Sequence, residues 1–312
     1  MIPFLPKSYF PLTQAAYFLA LSRTPHALLD IAAPCLAALL CLARLPSPEV
    51  ALVGFITAFA GYTAVYALND LVDYRVDRES FHGGGPSDAA RDLDSLLTRH
   101  PLAQGLISRS AALVWTISWA MVAMIGAYWL NPFCLLIFLM AAALEALYCL
   151  LLRITWLRSV ISGIVKTSGP LAAVYAVNPD PAPFFVLLLF FWFFCWEIGG
   201  QNIPNDLSDV ETDRSQGAMT IPVRFGERAS VLLIIAFLAA AYLFSIILAF
   251  VTEAGYGTLY LVGIVLSGLL LLLLPASNLY TSPTREKTLT LFNRASYYPL
   301  ALLFFFIFSL IL

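Results

Sequence analysis

Apolar runs of about twenty residues recur along the chain, parted by short polar breaks and by two long polar segments. About 20 apolar residues cross a bilayer as a helix. The pattern therefore predicts nine spans, at 26–43, 50–68, 110–130, 132–152, 158–177, 182–202, 229–251, 257–279 and 290–312. Turn chemistry marks several of the breaks: Pro46-Ser47-Pro48, Asn131-Pro132, Asn178-Pro179-Asp180-Pro181 and Gly255-Tyr256-Gly257. A single residue separates the third and fourth spans, which are expected to form a helical hairpin. Residues 11–22, with Tyr17 and Phe18, are expected to form an interfacial helix. The fold class is all-α, a nine-helix membrane bundle forming one domain over 1–312.

Alternating the spans puts every Lys and Arg except Arg44 on one side of the membrane. That side is then cytoplasmic, and it also receives both long polar segments. The expected protein is integral and multi-pass with a cytoplasmic-side active site, in the plasma or inner membrane if bacterial.

Composition agrees. The chain is 61% hydrophobic and 12% charged, against about 25% charged in soluble domains. A soluble enzyme, a nucleic-acid binder and a disordered chain are excluded, and a net charge of −2 offers no bulk field for polyanions. The five cysteines all fall in apolar runs without zinc-ligand spacing, so no disulfide framework or metal is read from them. The three histidines, His26, His82 and His100, are too scattered for a metal site. The N-terminus lacks the uninterrupted apolar stretch of a signal peptide. Nothing in the chain defines a protein partner.

The two long polar segments open on one repeated pattern. Residues 69–78 read Asn-Asp-Leu-Val-Asp-Tyr-Arg-Val-Asp-Arg, and 205–214 read Asn-Asp-Leu-Ser-Asp-Val-Glu-Thr-Asp-Arg. Six of ten positions are identical, an internal repeat that places a shared site between two helical halves. Asn69, Asp73 and Asp77, like Asn205, Asp209 and Asp213, fall at i, i+4 and i+8. A helix stacks them on one face, each about 6 Å from the next. Like charges so close need a cation between them, and hard oxygen donors select Mg²⁺, with the remaining ligands coming from substrate phosphate. Asp70 and Asp206 complete the candidate metal ligands. Asp73, Asp77, Asp209 and Asp213 are the carboxylates expected to carry catalysis.

Both stripes continue into the membrane. Glu197 and Gln201 precede Asn205 at the same spacing, and Tyr62 and Tyr66 precede Asn69. Ionisable groups at membrane depth are costly and face cavities. Tyr66, Glu197 and Gln201 are therefore candidate substrate-binding residues on a polar cavity wall.

These motifs resemble those of the UbiA superfamily of intramembrane prenyltransferases. That family carries an N-D-x-x-D-x-x-x-D motif after its second helix and a D-x-x-x-D motif after its sixth. Arg23-Thr24-Pro25 resembles the family's Arg-Pro opening, and 99–105 resembles its Arg-Pro-x-x-x-Gly segment. Residues 217–226 resemble the tail of its second motif, with Met219 where many members have a basic residue. The resemblance implies Mg²⁺-dependent transfer of a prenyl group from an allylic prenyl diphosphate to a small acceptor of aromatic, quinone-precursor type, with the tail leaving among the helices towards membrane lipid. It also implies diphosphate contacts from Arg23, Arg153, Arg158 and Lys166, with Tyr148 and Arg153 matching a Tyr-x-x-x-x-(Lys/Arg) pattern. Tyr62, Tyr66, Trp192 and Trp196 are candidate π faces for the allylic cation. Residues 78–98, longer than the family usually has, are expected to close over the site as a lid. The competing functions are an intramembrane terpene cyclase of the same superfamily and, from another class, a cation-coupled transporter.

Overall fold

The turn residues read from the sequence sit where the helices stop. In the computed structural model, which describes residues 11–82, 97–251 and 257–312, Ser47 and Ser108 accept hydrogen bonds from the backbone N–H of Val50 and Ala111, opening two of the spans. Asn131 alone joins the third and fourth spans, its side chain accepting from Phe133 N at 2.9 Å. These groups satisfy N–H donors that a helix start leaves open.

Among the described residues nine helices are long and apolar enough to cross a membrane. A short helix, α1 (Pro11–Leu21), precedes them. The first spans are α2 (Thr24–Leu42) and α3 (Pro48–Val72), and α3 passes at Asp73 into a short helix, α4 (Tyr74–His82). Then come α5 (Arg109–Leu130), α6 (Pro132–Leu150), α7 (Arg158–Val177) and α8 (Pro183–Ser208). Two short helices, α9 (Val210–Gln216) and α10 (Ile221–Phe225), lead into α11 (Glu227–Phe250), α12 (Thr258–Thr281) and α13 (Arg285–Ile311). The expected lid falls largely at 83–96, outside the described residues.

Burial divides the spans. Helices α2 and α8 lie at the centre, while α3, α5 and α6 turn most of their surface outward. The outward residues are apolar, Val114, Ile125 and Trp129 among them, as a lipid solvent requires. The main core joins α2, α7, α8, α11, α12 and α13 around Trp192, Trp196, Tyr260, Tyr298 and Phe306. Trp192 and Trp196 are fully enclosed in it. They are packing residues, not π faces open to an allylic cation.

Helix α8 is not uniform. Residues Ile198–Asn202 form a π-helical turn, which fits one extra residue into the helix. Gly199 within it lets α8 approach α11 closely: a Cβ there would stand 2.8 Å from Phe237 Cβ and 3.0 Å from the carbonyl oxygen of Ile234. This insertion re-aims everything downstream of Glu197.

Candidate active site

A cavity of about 700 Å³ opens between α2, α3, α5, α6, α7 and α8. At one end it meets the acidic repeats. Asn69, Asp73 and Asp77 line it from the end of α3 and the start of α4, and Asn205, Asp206 and Asp213 from α8 and α9. The helix bearing Asp77 packs against the helix bearing Asp213, so the two motifs face each other. At the other end the lining is apolar, reaching Val50 and Gly54 on α3, Leu130 on α5 and Val177 on α7.

The second motif does not present the single face that i+4 spacing predicts. The π turn shifts its phase and α8 breaks at Asp209, where φ is −112° and ψ is 15°. Asp206 therefore faces the cavity, 5% exposed and with Oδ2 accepting no hydrogen bond. Asp209 turns to Arg285 Nη2 at 3.5 Å and lines a smaller pocket with Asp70, Arg23, Arg99, His100 and Asn205. Helix α9 ends at Gly217, whose φ of 69° suits glycine. The chain then returns so that Thr220 Oγ1 donates to Asp213 Oδ2 at 3.1 Å.

The first motif is held from three sides. Arg23 Nη2 lies 3.3 Å from both Asn69 Oδ1 and Asp70 Oδ1. Asn69 Nδ2 donates to Glu145 Oε1 at 2.7 Å. His100 Nδ1 stands 3.0 Å from Asp77 Oδ2 and 3.8 Å from Asp70 Oδ1. The scattering of the histidines along the sequence thus misleads for one of them, since Asp70, Asp77 and His100 bring their ligand atoms within 4.8 Å of one another.

Two carboxylates outside the spans carry the cost of this crowding. Asp73 is pushed up to about 6, first by burial and then by the charge of Asp77. Asp213 is likewise raised to about 6, chiefly by burial. Both conditions disfavour the charged form, and a bound cation relieves them. The donor set is oxygen-only on the cavity wall, supplied by Asn69, Asp73, Asp77, Asn205, Asp206 and Asp213, and it includes the unpartnered Oδ2 of Asp206. That chemistry fits Mg²⁺.

Among the cations, Arg158 is 5% exposed, stacks its guanidinium 3.9 Å from the Tyr148 ring centroid and lines the cavity beside the acidic ends. The Tyr148 hydroxyl accepts from Asn202 Nδ2 at 3.1 Å. Arg153, favoured by the sequence pattern, pairs instead with Glu79 at 2.8 Å on the surface and does not line the cavity. The helix junction decides between them, because Arg158 begins α7 and enters the bundle whereas Arg153 lies in the preceding turn. Lys166 sits deeper, bonded to Asp30 Oδ2 at 2.6 Å, which places it below the acidic ends rather than among them. Gln201 Oε1 accepts from Ser296 Oγ at 3.2 Å. Tyr62 and Tyr66 stack with ring centroids 6.5 Å apart on the cavity wall.

Comparison with known proteins gives one consistent result. The sequence profile of the UbiA prenyltransferase family matches residues 31–310. A digeranylgeranylglyceryl phosphate synthase of Thermococcus sibiricus is 25% identical over 76% of this chain and 77% of its own. Another from Methanoregula boonei is 30% identical over 59% of this chain and 64% of its own. Among solved structures, a UbiA homolog from Aeropyrum pernix K1 superposes with a TM-score of 0.74 at 22% identity, covering 91% of this chain and 97% of that one. A UbiA homolog from Archaeoglobus fulgidus bound to DMAPP and Mg²⁺ gives 0.65 at 19% identity, covering 92% and 98%.

Proposed function

The chain belongs to the UbiA prenyltransferase family, and from that premise we propose that it moves a prenyl group from an allylic diphosphate to a small acceptor inside the membrane. The observation that carries this reading is the cavity itself. Acidic motifs from opposite halves of one domain border its polar end, and its remainder is an apolar channel through the spans. The polar end lies on the side where Lys and Arg collect, which we assign to the cytoplasm.

Asn69, Asp73, Asp77, Asn205, Asp206 and Asp213 would hold Mg²⁺, with Asp70 and Asp209 beside them. Bound there, Mg²⁺ supplies Lewis-acid neutralisation of the departing diphosphate. Arg23 and Arg158 flank the same end and bind the diphosphate oxygens, Arg158 held in place by Tyr148. Asn202 and Gln201 line the wall just below. Tyr62 and Tyr66 present π faces where the allylic cation forms. The apolar lower cavity takes the isoprenoid tail and keeps water from the cation. The relatives' names concern a glyceryl phosphate, so acceptors of the alcohol class stand beside the aromatic class expected from the sequence.

The test is purified protein with Mg²⁺, a prenyl diphosphate and an acceptor panel. Diphosphate release that depends on acceptor supports the reading. Release without acceptor, with a hydrocarbon or cyclic alcohol as product, means a cyclase, and no release refutes both.

A further inference from the structure

Below the acidic helix ends lies a second group of ionisable side chains, at membrane depth, that the acidic motifs do not account for. Asp30 comes from α2, Tyr62 and Tyr66 from α3, Ser162 and Lys166 from α7, and Glu197 from α8. Charges are not buried in a bundle without partners or a use. Asp30 has its partners: Lys166 Nζ donates to Oδ2 at 2.6 Å, the Tyr66 hydroxyl donates to the same oxygen, and His26 Nε2 stands 3.8 Å from Oδ1. Asp30 does not line the cavity.

Glu197 is different. It lines the cavity and is 7% exposed. Its Oε1 accepts from Ser162 Oγ at 2.8 Å, while Oε2 is buried and accepts no hydrogen bond, with Lys166 Nζ 3.9 Å away. One ammonium thus stands between two carboxylates, and it is bonded to the other one. The Tyr62 hydroxyl, on the same cavity wall, is also buried without a hydrogen-bond partner. One free acceptor and one free donor in one cavity suit a ligand hydroxyl, which both donates and accepts. Nine residues of α8 separate Glu197 from Asp206, about 13 Å at 1.5 Å per residue. A prenyl diphosphate held at the acidic ends would place its reacting carbon in that interval.

Resting on the prenyl-transfer reading, we propose that Glu197 is the general base of the reaction and that the acceptor reacts through a hydroxyl held at Glu197 and Tyr62. The bond between the prenyl C1 and the diphosphate oxygen breaks, and the diphosphate leaves with the bonding pair. A lone pair of the acceptor hydroxyl forms the new C1–O bond. The hydroxyl proton passes to Glu197 Oε2, and the neutral carboxyl gives it to water once the product has left. Lys166 keeps the carboxylate in place without neutralising it, since its short contact is with Asp30.

The experiment uses the full chain in detergent with Mg²⁺ and geranylgeranyl diphosphate. Two acceptor probes are offered, a monoalkyl glyceryl phosphate and a para-substituted phenol. Glu197→Gln removes the base yet leaves Lys166 and Asp30 as a balanced pair, so the bundle is expected to fold. Transfer should fall at least about 100-fold, while a non-ionisable thiolodiphosphate analogue binds with wild-type affinity, and the wild-type product should carry the prenyl group on oxygen. Transfer within tenfold of wild type overturns the base role. Loss of analogue binding together with transfer overturns it too, by showing a structural pillar. A product prenylated on ring carbon overturns the hydroxyl assignment. If Gln at 197 fails to fold, Tyr62→Phe decides: the proposal requires a higher KM for the acceptor with analogue binding intact, and an unchanged KM refutes it. Wild-type protein that prenylates neither probe refutes the transfer reading, and the base role with it. Normal wild-type transfer beside an unimpaired Glu197→Gln refutes the base role alone.

Discussion

Glu145 Oε1 accepts a hydrogen bond from Asn69 Nδ2 at 2.7 Å, although the two residues lie 76 positions apart on different spans. The bond fixes which way the Asn69 amide points. With Nδ2 committed to Glu145, Oδ1 is the end that meets Arg23 and the acidic motif. Glu145 thus orients a metal-ligand candidate without being one. Outer partners of this kind typically change metal affinity 10–100-fold when removed. Glu145→Leu should therefore raise the Mg²⁺ concentration for half-maximal turnover by at least about tenfold, with maximal turnover at saturating Mg²⁺ less affected. A Mg²⁺ titration checks this, and an unshifted midpoint would leave Glu145 a packing residue.

The two arginines either side of the α6–α7 turn should behave differently. Arg158 is enclosed and lines the cavity, whereas Arg153 makes a surface ion pair with Glu79. Exposed pairs contribute roughly 0–1 kcal/mol, so Arg153→Ala should keep turnover within about twofold. Arg158→Ala removes a charge-assisted diphosphate contact and should lower kcat/KM by at least about tenfold, the equivalent of 1.4 kcal/mol. The reverse ranking would restore the assignment that the sequence pattern favours.

That reversal shows where sequence reading ends. The nine spans, the Asn131 hairpin and the paired acidic motifs are legible because each rests on local signals: run length, turn residues and a repeated decapeptide. The phase of the second motif is not. The π turn at Ile198–Asn202 rotates Asp206 towards the cavity, and the break of α8 at Asp209 turns that carboxylate to Arg285; no periodicity announces either beyond Gly199-Gly200. His100 reaches Asp77 because the chain doubles back, a relation that spacing cannot carry. Asp30 was legible in principle. A lone carboxylate inside an apolar run, with Lys166 alone inside another, is the signature of an intramembrane pair.

Acidity should set the metal's effect on stability. Asp73 and Asp213 are both raised to about 6 by burial, Asp77 adding to the shift of Asp73, whereas an unfolded Asp titrates near about 3.9. Between those values the metal-free fold binds more protons than the unfolded chain, so it loses stability as pH rises through about 6. Mg²⁺ needs the ionised carboxylates, so its affinity rises over the same window. Saturating Mg²⁺ should raise the Tm at about pH 7.5 and do little at about pH 5. Thermal unfolding in detergent measures both, and equal Mg²⁺ shifts at the two pH values would exclude Asp73 and Asp213 as the coupled groups.

The far end of the cavity should read chain length. Gly54 lines it near the start of α3, nineteen residues from Asp73 and so about 28 Å away along the helix. A Cβ at Gly54 meets nothing within 4 Å, so a side chain there starts in open space beside the cavity. Gly54→Leu also replaces a poor helix former with a good one, a change favourable by roughly 0.8–1 kcal/mol, so loss of fold would not explain a defect. A short donor, dimethylallyl diphosphate, ends well above this point and should turn over as in wild type. A long donor, geranylgeranyl diphosphate, meets the new side chain with its tail, and its kcat/KM should fall by at least about fivefold, close to 1 kcal/mol. Equal effects on both donors, or none on the long one, would mean that the tail leaves the bundle before it reaches Gly54.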